Sequence, residues 1–178
     1  MFRKIAVPAL SLTLAAGLAG AQDLPIDLSA ELIGNDGAPV GTLTMTEGPH
    51  GILMRLALEA GALEPGWHGV HVHAVGDCSD HAAFQTAGGH MNPGEAEHGF
   101  LNPNGPHPSD LPNVFAYQDG TTQAEFFLFG VSIGEGETPL LDEDGAALMI
   151  HAGPDDHMTD PSGNSGDRVA CGVLGEGG

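Results

Sequence analysis

After residue 4 the chain has no lysine, and after Arg3 it has only two arginines, Arg55 and Arg168. Against them stand 24 aspartates and glutamates, for a formal net charge of −20 over 178 residues. Setting Arg3 and Lys4 aside leaves two basic and 24 acidic side chains, a net −22. Such a surface repels phosphate backbones and anionic headgroups, which argues against nucleic acid or an anionic membrane as a partner. The acidity itself reads as a device for solubility or for a salty medium. A helical apolar period is also missing, and so are internal repeats and any break that would mark a second domain. The one long apolar run, Ile5–Leu18, is 14 residues, short of the ~20 needed to span a bilayer.

That run has a different meaning. Basic Arg3 and Lys4 precede it and Ala19-Gly20-Ala21 follows it, the arrangement of a secretory signal peptide cut after Ala21. Residues 1–21 are therefore expected to be removed, leaving 22–178 as one domain in the periplasm or outside the cell. Export gives the cysteine count a meaning. Cys78 and Cys171 are the only two, and an even count in an oxidising compartment predicts that they pair. Closing a loop that long is worth about 4–5 kcal/mol in the chain-entropy account.

Period-two patterns run through the rest. Leu24, Ile26, Leu28, Ala30 and Leu32 alternate with mostly polar neighbours, and Asn35-Asp36-Gly37 reads as a turn. Leu43 and Met45 alternate with threonines, and Ile52, Met54, Leu56 and Leu58 form another run. Further strands are predicted at 113–118, 122–130, 146–150 and 168–174. The expected fold is all-β, an eight-stranded Greek-key barrel or sandwich. Two connections, 75–112 and 152–167, are long and poor in strand character; the first carries five prolines and six glycines. A compact domain keeps such loops when something orders them.

Histidine supplies the candidate. In Gly66-Trp67-His68-Gly69-Val70-His71-Val72-His73, the strand period puts His71 and His73 on one face and Val70 and Val72 on the other. Two imidazoles on one rigid face make half a metal site. The first long loop adds His90, His98, His107 and Asp110. Three histidines with a carboxylate form a four-coordinate set that suits zinc. His151 follows the apolar run 147–150, from where it could join His71 and His73, and an all-imidazole set favours copper over magnesium or calcium. His50, His81 and His157 fit no ligand position.

The order and spacing resemble the copper/zinc superoxide dismutases. The resemblance rests on His-Gly-Val-His-Val-His at 68–73 and Gly-Gly-His-Met-Asn-Pro at 88–93. It continues through His98, His107 and Asp110 and through Ile150-His151 with Asp155-Asp156. It ends in Gly-Asp-Arg-Val-Ala-Cys-Gly-Val at 166–173. Cys78, five residues after His73 in Gly-Asp-Cys, is similar to the bacterial, periplasmic branch. The resemblance implies copper on His71, His73, His90 and His151, and zinc on His90, His98, His107 and Asp110, with His90 shared. It implies that His68 bonds backbone, that Asp155 links the rings of His71 and His98, and that Arg168 guides superoxide. The implied reaction turns superoxide into dioxygen and hydrogen peroxide by one-electron cycling of copper, His90 taking up a proton. The loop 152–167 departs from the family: it carries Asp155, Asp156, Asp160 and Asp167 and no lysine, which predicts weaker electrostatic steering. Subunit arrangement stays open, a homodimer being one candidate. A metal-storage module on the same barrel would need the ligands but not Arg168, and a copper-only relative would need no zinc set.

Overall fold

The computed structural model describes residues 27–175; the expected leader and its cleavage point, with Leu24 and Ile26, lie outside the described residues. Nine strands follow one another: β1 Asp27–Gly34, β2 Pro39–Gly48, β3 Gly51–Leu58, β4 Gly66–His68, β5 Val70–His73, β6 Val114–Ala116, β7 Thr122–Phe129, β8 Ala146–His151 and β9 Arg168–Gly175. Seven form an antiparallel sheet in the order β5-β8-β9-β1-β2-β3-β7, and β4 pairs with β6. The hairpin at Tyr117–Thr121 lays β6 against β7, so the sheet curls into a Greek-key barrel.

The count of eight strands holds because β4 and β5 are one strand interrupted at Gly69. The Gly69 N–H donates to the Gly153 carbonyl at 2.8 Å, and its carbonyl accepts from the His151 N–H at 2.9 Å. A β-carbon here would sit 2.9 Å from Cβ of Ser165 and 3.3 Å from Cβ of Asp155. Glycine thus lets the 152–167 loop lie directly on the strand.

The alternating positions behave as the period predicts. Ala30 and Leu32, Leu43 and Met45, and Ile52, Met54, Leu56 and Leu58 all point into the barrel. In β5 and β8 every residue is buried, because both faces are covered. Val70, Val72, Leu148 and Ile150 face the barrel interior. Ala147 and Met149 face outward into a second cluster with Phe84, Ala87, Cys78 and Cys171. The outer face of β5 is therefore roofed by the long loop rather than by solvent, and that is where His71 and His73 point.

The expected pair forms: Cys78 and Cys171 make a disulfide with Cα atoms 5.9 Å apart, tying the start of the long loop to β9. One connection was not anticipated. Between β7 and β8, Val131, Ile133 and Leu140 are buried with the core while the chain stays irregular. Val131 and Ile133 stand two apart as in a strand, but Leu140 follows only after Gly134-Glu135-Gly136-Glu137, so the sequence pattern shows at most a two-residue hint of it.

Candidate metal centre

β5 supplies the platform. His71 and His73 are fully enclosed, as Val70 and Val72 are on the opposite face. The long loop crosses over them as single-residue bridges, His73 opposite His90 and His71 opposite Asp110. His151, at the end of neighbouring β8, completes a group with His71, His73 and His90 whose potential ligand atoms all lie within 4.8 Å of one another.

The hydrogen bonds around these rings decide which nitrogen each can offer. His71 Nε2 lies 2.6 Å from Asp155 Oδ2. His73 Nδ1 is 2.9 Å from the Gly88 carbonyl and His151 Nδ1 is 3.1 Å from the Gly166 carbonyl. Each acceptor places the ring proton on the nitrogen facing it and leaves the other with a lone pair. Those others, His71 Nδ1, His73 Nε2 and His151 Nε2, are buried without a hydrogen-bond partner, and so is His90 Nε2. Four partnerless buried nitrogens converging on one point would be costly without a cation. Burial keeps the rings neutral, pushing His71 down to about 3, His151 to about 4, His73 well below its ordinary value, and His90 downward as well.

The opposite nitrogen of His90 enters a second cluster. Its Nδ1 is 3.1 Å from His107 Nδ1 and 3.1 Å from Asp110 Oδ1. Asp110 Oδ1 also lies 2.9 Å from His98 Nδ1 and 3.2 Å from His107 Nδ1. A tetrahedral ion with bonds of about 2.0 Å separates its ligands by about 3.3 Å, close to these spacings. Asp110 Oδ2 is held by the N–H groups of Gly99 and His107 at 2.9 and 3.0 Å, which aims Oδ1 at the cluster. A purely geometric grouping puts His71 beside His90, His98 and Asp110 here. The Nε2 of His71 is taken by Asp155, whereas His107 Nδ1 stands 3.1 Å from His90 Nδ1 and 3.2 Å from Asp110 Oδ1.

The second cluster is built for positive charge. Burial opposes a charged His98, yet its bonds to Asp110 and Asp155 outweigh that and raise it to about 9. Burial would raise Asp110 and Asp155, but hydrogen bonds from the histidines hold both well below the usual carboxylate range. Asp155 joins the clusters: one oxygen meets His71 as above, the other lies 3.0 Å from His98 Nε2.

His68 and Arg168 both bond backbone carbonyls. His68 is buried with Nδ1 2.7 Å from the His151 carbonyl and Nε2 2.8 Å from the Glu64 carbonyl, a backbone-bonding histidine and not a ligand. Arg168 donates from its two terminal nitrogens to the carbonyls of Phe84 at 2.6 Å and Gly88 at 2.8 Å. Sequence reasoning missed Asn113, whose side chain clamps the backbone of Asp155, donating to its carbonyl and accepting from its N–H, both at 2.8 Å. It also missed the carbonyls of Gly88 and Gly166, because a backbone acceptor leaves no mark in a sequence.

A family model described as copper/zinc superoxide dismutase matches residues 40–174. The chain belongs to the copper/zinc superoxide dismutase family. The superoxide dismutase [Cu-Zn] of Caulobacter vibrioides is 47% identical over 142 residues, 78% of this chain and 80% of that one. A solved double mutant of a SOD-like protein from Bacillus subtilis has a TM-score of 0.77 at 39% identity, covering 82% of this chain and 95% of that one. The Cu/Zn superoxide dismutase of Brucella abortus has a TM-score of 0.64 at 29% identity, covering 84% and 100%. The protein is thus a superoxide dismutase that uses copper and zinc, and its two donor clusters have the chemistry each ion prefers. The disulfide and these bacterial relatives are consistent with a place outside the cytoplasm.

Proposed function

We propose that copper is held by His71, His73, His90 and His151, that zinc is held by His90, His98, His107 and Asp110, and that Arg168 receives superoxide beside the copper. One observation carries this reading: each of the four copper-side rings has a buried nitrogen without a partner, and the four rings bring potential ligand atoms within 4.8 Å of one another. Bound there, copper supplies the one-electron chemistry that takes one superoxide to dioxygen and a second, with two protons, to hydrogen peroxide.

The chain's own residues do the rest. His90 has its Nδ1 against His107 and Asp110 and its Nε2 without a partner on the side of the other rings, so it would join the two sites. Its Nε2 has no hydrogen-bond partner among the described residues, so that nitrogen is free to take a ligand or a proton. Asp155 orients His71 and His98 together, so the two ligand sets are not independent. Arg168 spends two donors on the carbonyls of Phe84 and Gly88 and keeps the others for the anion.

The test is His151→Ala. Copper is expected to be lost and turnover abolished while zinc stays bound, because only the copper set loses a ligand. Elemental analysis beside a superoxide-consumption assay reads both, and parallel loss of zinc rejects the assignment.

The same reading places the mature protein, residues 22–178, in the periplasm, supported by the basic-apolar-small order of residues 3–21. Its −22 charge supports neither nucleic acid nor membrane as a partner. A homodimer is supported by the exposed outer face of β4 and β6, where Trp67, Phe115 and Tyr117 form an edge-to-face row with centroids 5.2 and 6.1 Å apart. Mass spectrometry of the exported protein checks both points: denatured, the chain should begin at Gln22, and native, it should show twice the chain mass. A retained leader or a monomer mass rejects the corresponding point.

A further inference from the structure

Asp155 is gripped on nearly every side. His71 and His98 hold its oxygens, the His157 N–H donates to Oδ1 at 2.6 Å, and Asn113 clamps its backbone. The side left over is filled by a backbone without a side chain, Gly163. Its φ is +62°, and a β-carbon built there would overlap Oδ1 and Cγ of Asp155 and lie 2.9 Å from His98 Nε2. Gly163 cannot easily retreat. Its N–H donates to the Thr159 carbonyl at 2.6 Å, and its carbonyl accepts from the Asp156 N–H at 2.9 Å.

We propose that Gly163 is a positioning residue whose missing side chain is what allows Asp155 to lie between His71 and His98. The inference rests on the ligand assignment above and adds to it the element that fixes the coupling between the two sites. The first methyl group at this position must displace the carboxylate, and the carboxylate has nowhere to go without releasing one of the rings. Removing an acceptor that orients a metal ligand costs about 10–100-fold in metal affinity, so Gly163→Ala should weaken zinc retention to that degree although residue 163 touches no metal.

A positive φ also penalises alanine, and that cost must be separated from crowding. Gly130 serves as the control: its φ is +74° and nothing lies within 4 Å of the β-carbon position. Crowding against Asp155 predicts a specific double-mutant result, because Asp155→Ala removes the two atoms that the new β-carbon would overlap and leaves only the milder 2.9 Å approach to the His98 ring. Gly163→Ala should lower the melting temperature of the chelator-stripped protein strongly in the native background and only slightly in the Asp155→Ala background. Pure backbone strain would cost the same in both. Gly130→Ala should leave zinc affinity, measured by chelator competition, unchanged.

Equal melting shifts in the two backgrounds overturn the proposal, as does unaltered zinc affinity in Gly163→Ala. If Asp155→Ala itself leaves zinc and copper affinity unchanged, the bridging role of Asp155 fails and takes the proposal with it. If Asp155→Ala loses metal while Gly163→Ala does not, only the role of Gly163 fails. Should Gly163→Ala not fold alone, recovery of folding in the Asp155→Ala/Gly163→Ala pair supports the crowding account, and no recovery overturns it.

Discussion

Arg168 is one of the two arginines that follow residue 4, where there is no lysine, and it is committed to a particular place. Its guanidinium reaches back across the loop to the carbonyls of Phe84 and Gly88, and burial lowers its proton affinity somewhat below the ordinary arginine value. The Gly88 carbonyl is also the acceptor that orients His73. One peptide group thus orients both the His73 ring and the Arg168 guanidinium, so the proposed copper and anion positions would be registered to the same backbone. Truncation to alanine should keep both metals, since no ligand is lost, and lower the second-order rate constant about 10–100-fold, the equivalent of a charged hydrogen bond of about 1.5–3 kcal/mol. Pulse radiolysis with parallel metal analysis checks this. An unchanged rate constant removes Arg168 from the path of the anion.

At the scale of elements, the site is a rigid strand roofed by an irregular loop, and the disulfide is the rivet. Cys78 and Cys171 are 93 positions apart, so removing the cross-link frees a long loop in the unfolded chain. The double variant Cys78→Ser/Cys171→Ser should lose about 4 kcal/mol in the metal-free state, measured by denaturant unfolding. It should also lose rate, because Phe84, which holds Arg168, sits in the segment that the disulfide pins. Unfolding midpoints equal to those of the native chain would show that the roof is held by other means. The strands and the pairing of the cysteines were legible beforehand because both obey rules with a sequence signature: period two for strands, and even cysteine count with export for the bond. The copper-side ligands were half legible in the same way, since His71 and His73 on one strand share a face by geometry alone. The link through Asp155 came only by resemblance. What stayed hidden was what the backbone does: the carbonyls that choose each ring's tautomer, the clamp from Asn113, the irregular segment carrying Val131, Ile133 and Leu140, and the empty space at Gly163.

Over the whole molecule the charge is lopsided, and part of the reason is local. In the 152–167 loop, Asp155 bridges two rings, Asp156 accepts from the N–H groups of Met158 and Thr159 at 2.9 and 2.8 Å, and Asp160 accepts from the His98 N–H at 2.8 Å. These carboxylates hold an irregular chain in shape, as short acidic side chains do where backbone donors lack partners. The consequence reaches beyond the loop, because among the described residues there is no lysine, and the one other arginine, Arg55, pairs with Glu125. The Debye length is about 30 Å at 0.01 M salt, so there the −22 field of residues 5–178 extends across the molecule and repels superoxide; at 0.15 M it is about 8 Å, and mainly the groups near Arg168 are felt. Adding salt therefore removes repulsion before it removes attraction. The rate constant for superoxide consumption should stay flat or rise as ionic strength increases over that range. A steep fall would mean that a focused positive field around the copper site outweighs the acidic surface even at long range, and that the carboxylates of the loop are too well neutralised by their backbone donors to be felt by an approaching anion.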